Sequence, residues 1–296
     1  MRIVKPIEVT ETILLTSDVA LTDYTAWTAG SYNAGDQRRY DLSAYEALST
    51  TTDQPDVGAA KAVPTWLRLG YVNRWRMFRD GSDSLTTNTG AITVTLDYAA
   101  VVTTMALLGL AADTAQLVIT DGVEGEVYNE TITLTDIGAL DWWEYFFTPY
   151  DSIDTALFEE IPPYPDATLA LTISRTNPLD DASCGRVVAG LEVALGVTNY
   201  GTDVGILDYS IKERDEFGNL QIVQRRTVKR VGYDVTLESS LVDFVQRRLA
   251  QVSAAPALFI GDGLYSSTIV FGLYRDFTIN LLNVATSSAT IEVEGF

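Results

Sequence analysis

Carboxylates are the only abundant reactive side chains in this 296-residue chain, which has 40 Asp and Glu, no His and a single Cys. Two carboxylates suffice for glycoside hydrolysis. Asp141 with Glu144, or Glu159 with Glu160, could be nominated for that chemistry. Among 40 acids such pairs arise by chance, and neither lies in a motif that sets it apart. The absence of His excludes Ser-His-Asp and Cys-His catalysis, His-ligated zinc and imidazole proton transfer. Cys184 alone cannot form an intrachain disulfide or a multi-thiolate metal site. Its setting, Ala-Ser-Cys-Gly, reads as a small half-buried thiol rather than a nucleophile. Asp121-Gly-Val-Glu-Gly-Glu misses the Gly and Glu spacing of an EF-hand loop. No P-loop, Rossmann glycine pattern or Gly-x-Ser-x-Gly elbow occurs. The chain therefore reads as no enzyme, with no catalytic residue, cofactor or metal.

Charge removes further classes. Lys and Arg number 20, so the formal net charge is −20. A general basic field for nucleic acid is excluded, as is attraction to anionic lipid. Residues 80–174 hold sixteen acids and no base, −16 of the total, and read as a solvated face. Bases gather later, in the doublets Arg225-Arg226, Lys229-Arg230 and Arg247-Arg248, within a window that also holds six acids. These six bases are the candidate subunit contacts. They could pair with the acidic domain of a neighbouring copy, which gives steering and register more than affinity.

The elements that must carry these residues are mostly strands. Ile92, Val94 and Leu96 alternate with Thr93, Thr95 and Asp97. The same alternation holds for Ile132 and Leu134, for Leu169, Leu171 and Ile173, and for Ile291 and Val293. One helix interrupts it: Leu241, Phe244, Val245, Leu249 and Val252 fall at helical spacing, with Ser240 placed to cap it and Pro256 beyond its end. The expected fold is mainly β: a small aromatic-rich N-terminal module in residues 1–79, an acidic β-sandwich in 80–176, and a C-terminal β-domain with one amphipathic helix in 177–296. Residues 177–181 form the expected joint, and 49–56 an expected surface loop. Trp142-Trp-Glu-Tyr-Phe-Phe147, read as a strand, would send one aromatic set to the core and the other to a subunit contact. No apolar run approaches the ~18 residues of a membrane span. The opening residues have no signal-peptide character. A soluble, cytoplasmically made protein is the expectation.

The most specific string is Trp27-x-x-Gly30-x-Tyr32-x-x-Gly35-Asp36, followed by Tyr45-Glu46-Ala47 and Pro64-Thr65-Trp66. It resembles the small chitin-binding module that bacterial chitinases carry, over residues 24–69. The resemblance implies that Trp27, Tyr32, Tyr45 and Trp66 either form the module's minute core or hold a glycan. Where that family presents exposed aromatics after Tyr-Glu-Ala, this chain has Leu48-Ser-Thr-Thr-Thr52, so the sugar platform is missing. A structural role is the expectation for the module.

Taken whole, the chain resembles tail proteins of long-tailed bacteriophages, including Mu-like transposable phages of Pseudomonas. The matching strings are Met1-Arg-Ile-Val-Lys-Pro-Ile7, Asn73-Arg-Trp-Arg-Met-Phe78, Asp141-Trp-Trp-Glu-Tyr-Phe-Phe147, Leu207-Asp-Tyr-Ser210 and Phe271-Gly-Leu-Tyr-Arg-Asp-Phe277. Residues 190–218 are similar to the ring-forming domain of distal tail proteins. The resemblance implies a virion structural protein, assembled in the host bacterial cytoplasm. It would form a homo-oligomeric ring of six copies, or of three, that joins tail tube to tip complex. The other reading it leaves open is a host-surface glycan-binding adhesin of the tail.

Overall fold

A computed structural model describes residues 1–79, 84–136, 142–143, 151–214 and 218–296. The chain is mainly β and arranged in several sheets, as its period-two patterning predicts. It divides into two compact units, Met1–Ile7 with Ala189–Phe296, and Glu8–Val188. The expected boundaries after residues 79 and 176 are not those of these units, for two reasons. The strand Arg2–Val4 lies antiparallel between Glu192–Ala194 and Ala257–Ile260, so the first residues complete the C-terminal sheet. Residues 177–181 are a tight turn rather than a joint. Asp180 N–H donates to the Asn177 carbonyl (3.1 Å) and Leu179 N–H to Asn177 Oδ1 (3.2 Å). That turn links the strands Thr168–Ser174 and Asp181–Cys184 within one unit.

In the Glu8–Val188 unit, five antiparallel strands run in the order Gly125–Thr133, Thr114–Asp121, Thr168–Ser174, Ala91–Asp97, Leu14–Ser17. The register sets Leu169 opposite Leu96, Leu171 opposite Val94 and Ile173 opposite Ile92. All six are buried, as are Leu117 and Ile119 on the next strand. Alternation therefore puts one apolar face of the sheet inward and leaves the Thr face wet. A second sheet, Thr155–Phe158, Thr104–Leu108 and Arg186–Gly190, buries Met105, Leu107, Phe158 and Val188. Each such side chain contributes roughly 1.5–3 kcal/mol by leaving water. The chain enters this region through two short helices, Pro55–Ala59 and Asn73–Arg76. Pro55 at the first turn starts the former. The expected loop over 49–56 is thus partly ordered, and Thr51 is buried and bridged to Tyr32.

The other unit is built on one eight-stranded sheet, whose longest members are Thr227–Glu238, Thr286–Gly295 and Ile269–Leu281. Val231, Tyr233, Val235 and Leu237 share a core with Ala289, Ile291 and Val293, and the helix Val242–Ala250 lays Val245 and Leu249 on it. The amphipathic spacing is realised, but the cap is not. Leu241 occupies the N-cap position without a side-chain bond, because a 3₁₀ turn, Ser239–Leu241, precedes the helix. The Ser240 hydroxyl donates to Glu238 instead (3.4 Å). Tyr233, fully buried, donates its hydroxyl to the Thr268 carbonyl (2.8 Å), and burial pushes its pKa up.

Two of these strands approach so closely at Gly272, which faces Gly295, that a Cβ there would fall on the Glu294 carbonyl. Gly272→Ala should therefore cost at least ~1–3 kcal/mol. It would appear as a lower urea midpoint with an unchanged m-value. Gly122→Ala, where the added methyl meets open space, should leave the midpoint nearly in place.

Candidate functional site

The aromatic module is a three-stranded antiparallel sheet, Gln37–Tyr40, Ser43–Ala47 and Trp66–Tyr71, closed by the helix Pro55–Ala59. Its backbone explains the Gly-Asp pair. Gly35 sits at φ +90°, a conformation that favours glycine. Asp36 then folds back so that its carboxylate accepts the Asn33 N–H (2.8 Å). Trp66 on the last strand is 1% exposed and packs with Tyr32, Tyr45 and Ala47, with Trp27 and Tyr40 partly buried against them. Tyr32 meets Trp66 edge-on at 5.5 Å, and Trp27 meets Tyr40 at 5.7 Å. Two of the polar handles are satisfied locally, while Trp27 Nε1 is buried without a hydrogen-bond partner among the described residues. Trp66 Nε1 donates to the Asp53 carbonyl (3.0 Å), and Tyr32 donates to the Thr28 carbonyl (2.7 Å).

Asp53 links the pieces. Its carboxylate accepts from Lys61 Nζ (2.6 Å) and Thr65 Oγ1 (2.8 Å), and these bonds hold its pKa below the usual carboxylate range. Gly58 lies so close to Trp66 that any side chain there would meet the indole. All four nominated residues, Trp27, Tyr32, Tyr45 and Trp66, are therefore brought together, and into packing rather than onto an open face. The large apolar side chains the module does expose are aliphatic: Leu48, Val57, Val63, Leu67 and Leu69. A sugar ring stacks on flat aromatic faces, and none is offered by these positions.

Elsewhere the nominated groups scatter. Asp121 caps a hairpin turn, accepting the N–H groups of Val123 (2.8 Å) and Glu124 (3.0 Å), which lower its pKa. Among the described residues no group of three or more His, Cys, Asp or Glu is placed to hold a metal ion. Cys184 is buried, and desolvation pushes its thiol up to about 12, which keeps it protonated and inert at neutral pH. Trp142 and Trp143 have helical backbone and are both exposed. Neighbours on a helix are about 100° apart, so the strand alternation expected there does not apply to this pair. Asp141 and residues 144–147 lie outside the described residues.

The basic doublets fall on two elements. Arg225 and Arg226 precede the strand Thr227–Glu238, which carries Lys229 and Arg230. Arg230 pairs with Glu292 across the sheet (3.2 Å), both nearly half exposed, so the pair is worth little in water. Arg247 and Arg248 occupy the last turn of Val242–Ala250, where cations suit the helix dipole. Arg248 also stacks on Phe244 at 5.1 Å. Six exposed apolar residues lie around the first of these groups, Val204, Ile206, Tyr209, Leu220, Ile222 and Val223, and their exposure is not legible in the sequence.

No protein-family model matches the chain, and no curated protein matches it. No helix among the described residues is long and apolar enough to cross a membrane. The packed aromatic cluster makes a direct prediction. Trp66→Ala should lower the module's stability by ~3–5 kcal/mol, read as a fall in denaturant midpoint or in soluble yield. Unchanged stability with lost retention on an insoluble polysaccharide would instead identify Trp66 as a ligand residue.

Proposed function

We propose that this chain is a structural protein of a phage tail, forming a ring or hub near the tip that joins the tail tube to the tip complex. The observation that carries this reading is the series of strings, from Met1-Arg-Ile-Val-Lys-Pro-Ile7 to Phe271-Gly-Leu-Tyr-Arg-Asp-Phe277, which resemble such proteins along nearly the whole length.

The distribution of charge supports it. Glu8–Val188 holds 27 acids and 9 bases, a net −18, whereas Met1–Ile7 with Ala189–Phe296 holds 13 acids and 11 bases, a net −2. Copies gathered around an axis accumulate repulsion wherever like charges meet. The nearly neutral unit can be packed copy against copy, and the acidic one must stay wet or face a basic surface. Head-to-tail contacts around a ring permit this, because each subunit presents two different flanks. The adhesin reading has less support, since Tyr32, Tyr45 and Trp66 are buried in packing and Trp27 is packed against them. Cryo-electron microscopy of tailed particles tests the proposal. The expected result is a closed ring of this chain between tube and tip, with six subunits or, in the other symmetry, three. Particles in which the chain is absent, or is found only on peripheral fibres, would overturn it.

A further inference from the structure

The eight-stranded sheet has a strand that outruns it. Asp203–Asp208 pairs with Thr227–Glu238 from Gly232 to Thr227. On its other side, Thr227–Glu238 pairs with Thr286–Gly295 only as far as Arg230. Past that point the two strands continue as a pair, with the Tyr209 hydroxyl donating to Glu294 of the neighbouring strand. Tyr209 N–H donates to the Arg226 carbonyl (3.3 Å), and Arg225 N–H to Ser210 Oγ (3.0 Å). The ladder then resumes from Ile211 opposite Val223 to Arg214 opposite Leu220. Residues 206–214 thus run against 220–229 as a two-stranded ribbon, about 30 Å long at ~3.4 Å per residue. A two-stranded ribbon is marginal in water without a surface to lie on. This one exposes Ile206, Leu220, Ile222 and Val223 by more than half each.

We infer that this ribbon is an assembly arm that lies along the free edge strand Gly125–Thr133 of a second copy of the chain. Three features select that occupant. The strand Gly125–Thr133 ends its five-stranded sheet, so its outer backbone groups are unpaired among the described residues. Such an edge accepts another strand. It is nine residues long, the length of the ribbon segment 206–214. The charges are opposite. The described ribbon carries Lys212, Arg214, Arg225, Arg226 and Lys229 against Asp208 and Glu213, and remains net positive when Asp215 and Glu216 of its connection are counted. The edge strand carries Glu126 and Glu130, both exposed, beside Asp121 and Glu124, with no base anywhere in residues 80–174. One arm and one edge per chain make a head-to-tail contact, which closes into a ring or runs on as a helix. The inference rests on reading this chain as a self-assembling unit and is independent of its place in a tail.

Sedimentation velocity on the full chain tests it with three variants. The first replaces residues 211–224 by Asn-Gly, which turns Ser210 directly into Arg225. The second carries Arg225→Glu and Arg226→Glu, and the third Glu126→Arg and Glu130→Arg. Wild type should assemble at low salt and come apart as screening shortens the reach of its charges. The armless chain should stay monomeric with an unchanged melting temperature. Each charge reversal alone should weaken assembly about tenfold or more, and the second and third combined should restore it. Wild type that stays monomeric at its highest soluble concentration would overturn the inference. So would an armless chain that assembles like wild type, or a combined variant no better than either parent. Any of these would leave the tail assignment standing, since particles are examined separately.

Discussion

Like charges confined to one part of a chain repel their copies wherever those copies meet, and the proposed assembly depends on how that repulsion is managed. Eighteen of the twenty net negative charges lie within Glu8–Val188. A surface of that kind stays hydrated and disperses monomers. It can be brought against a copy of itself only where a positive element intervenes. The net-positive ribbon belongs to the other unit, which is close to neutral. An exposed ion pair such as Arg230 with Glu292 (3.2 Å) adds little to the fold. In the proposed assembly, charge acts on association and solubility. Burial and backbone pairing hold the chain together.

Pairing must do so without staples, since the one thiol is buried and protonated. Register is then the critical variable. A slip by one residue would turn Ile92, Val94 and Leu96 to water and carry Thr93 and Thr95 inward. The cross-strand matches at Leu169–Leu96 and Ile173–Ile92 fix it in one unit. The Gly272–Gly295 approach fixes it in the other, because only that alignment spares a collision with the Glu294 carbonyl. The small module solves the same problem differently. With few apolar residues, it stacks aromatics edge to face and anchors Trp66 through the Asp53 backbone.

Much of this was legible in the residues. Strict alternation is a local signal, and it located the strands around Ile92, Leu169 and Ile291. Helical spacing located Val242–Ala250 for the same reason. The rest has two origins, long-range pairing and local hydrogen bonding that residue type alone does not decide. Nothing local announces that Arg2–Val4 pairs with residues some 190 and 255 positions away, so that strand's place in the C-terminal sheet is not legible in the sequence. Asn177-Pro178 has the composition of a linker and of a tight turn alike, and only its hydrogen bonds decide between them. Ser240 had the right type for a cap but fell inside a 3₁₀ turn. The ribbon carried a readable cue, Gly218-Asn219 between Ile211-Lys-Glu-Arg214 and Leu220-Gln-Ile-Val223. That it projects past its sheet follows only from where the neighbouring ladder stops.

Self-assembly of the chain into a closed body is the central proposal. Native mass spectrometry of the purified wild-type protein at low ionic strength measures that directly. The account predicts one dominant species at an integral multiple of the 32.4 kDa chain mass, six-fold or three-fold, that collapses to monomer as salt is raised. A spectrum of monomer alone, or one whose oligomers are indifferent to salt, would contradict it.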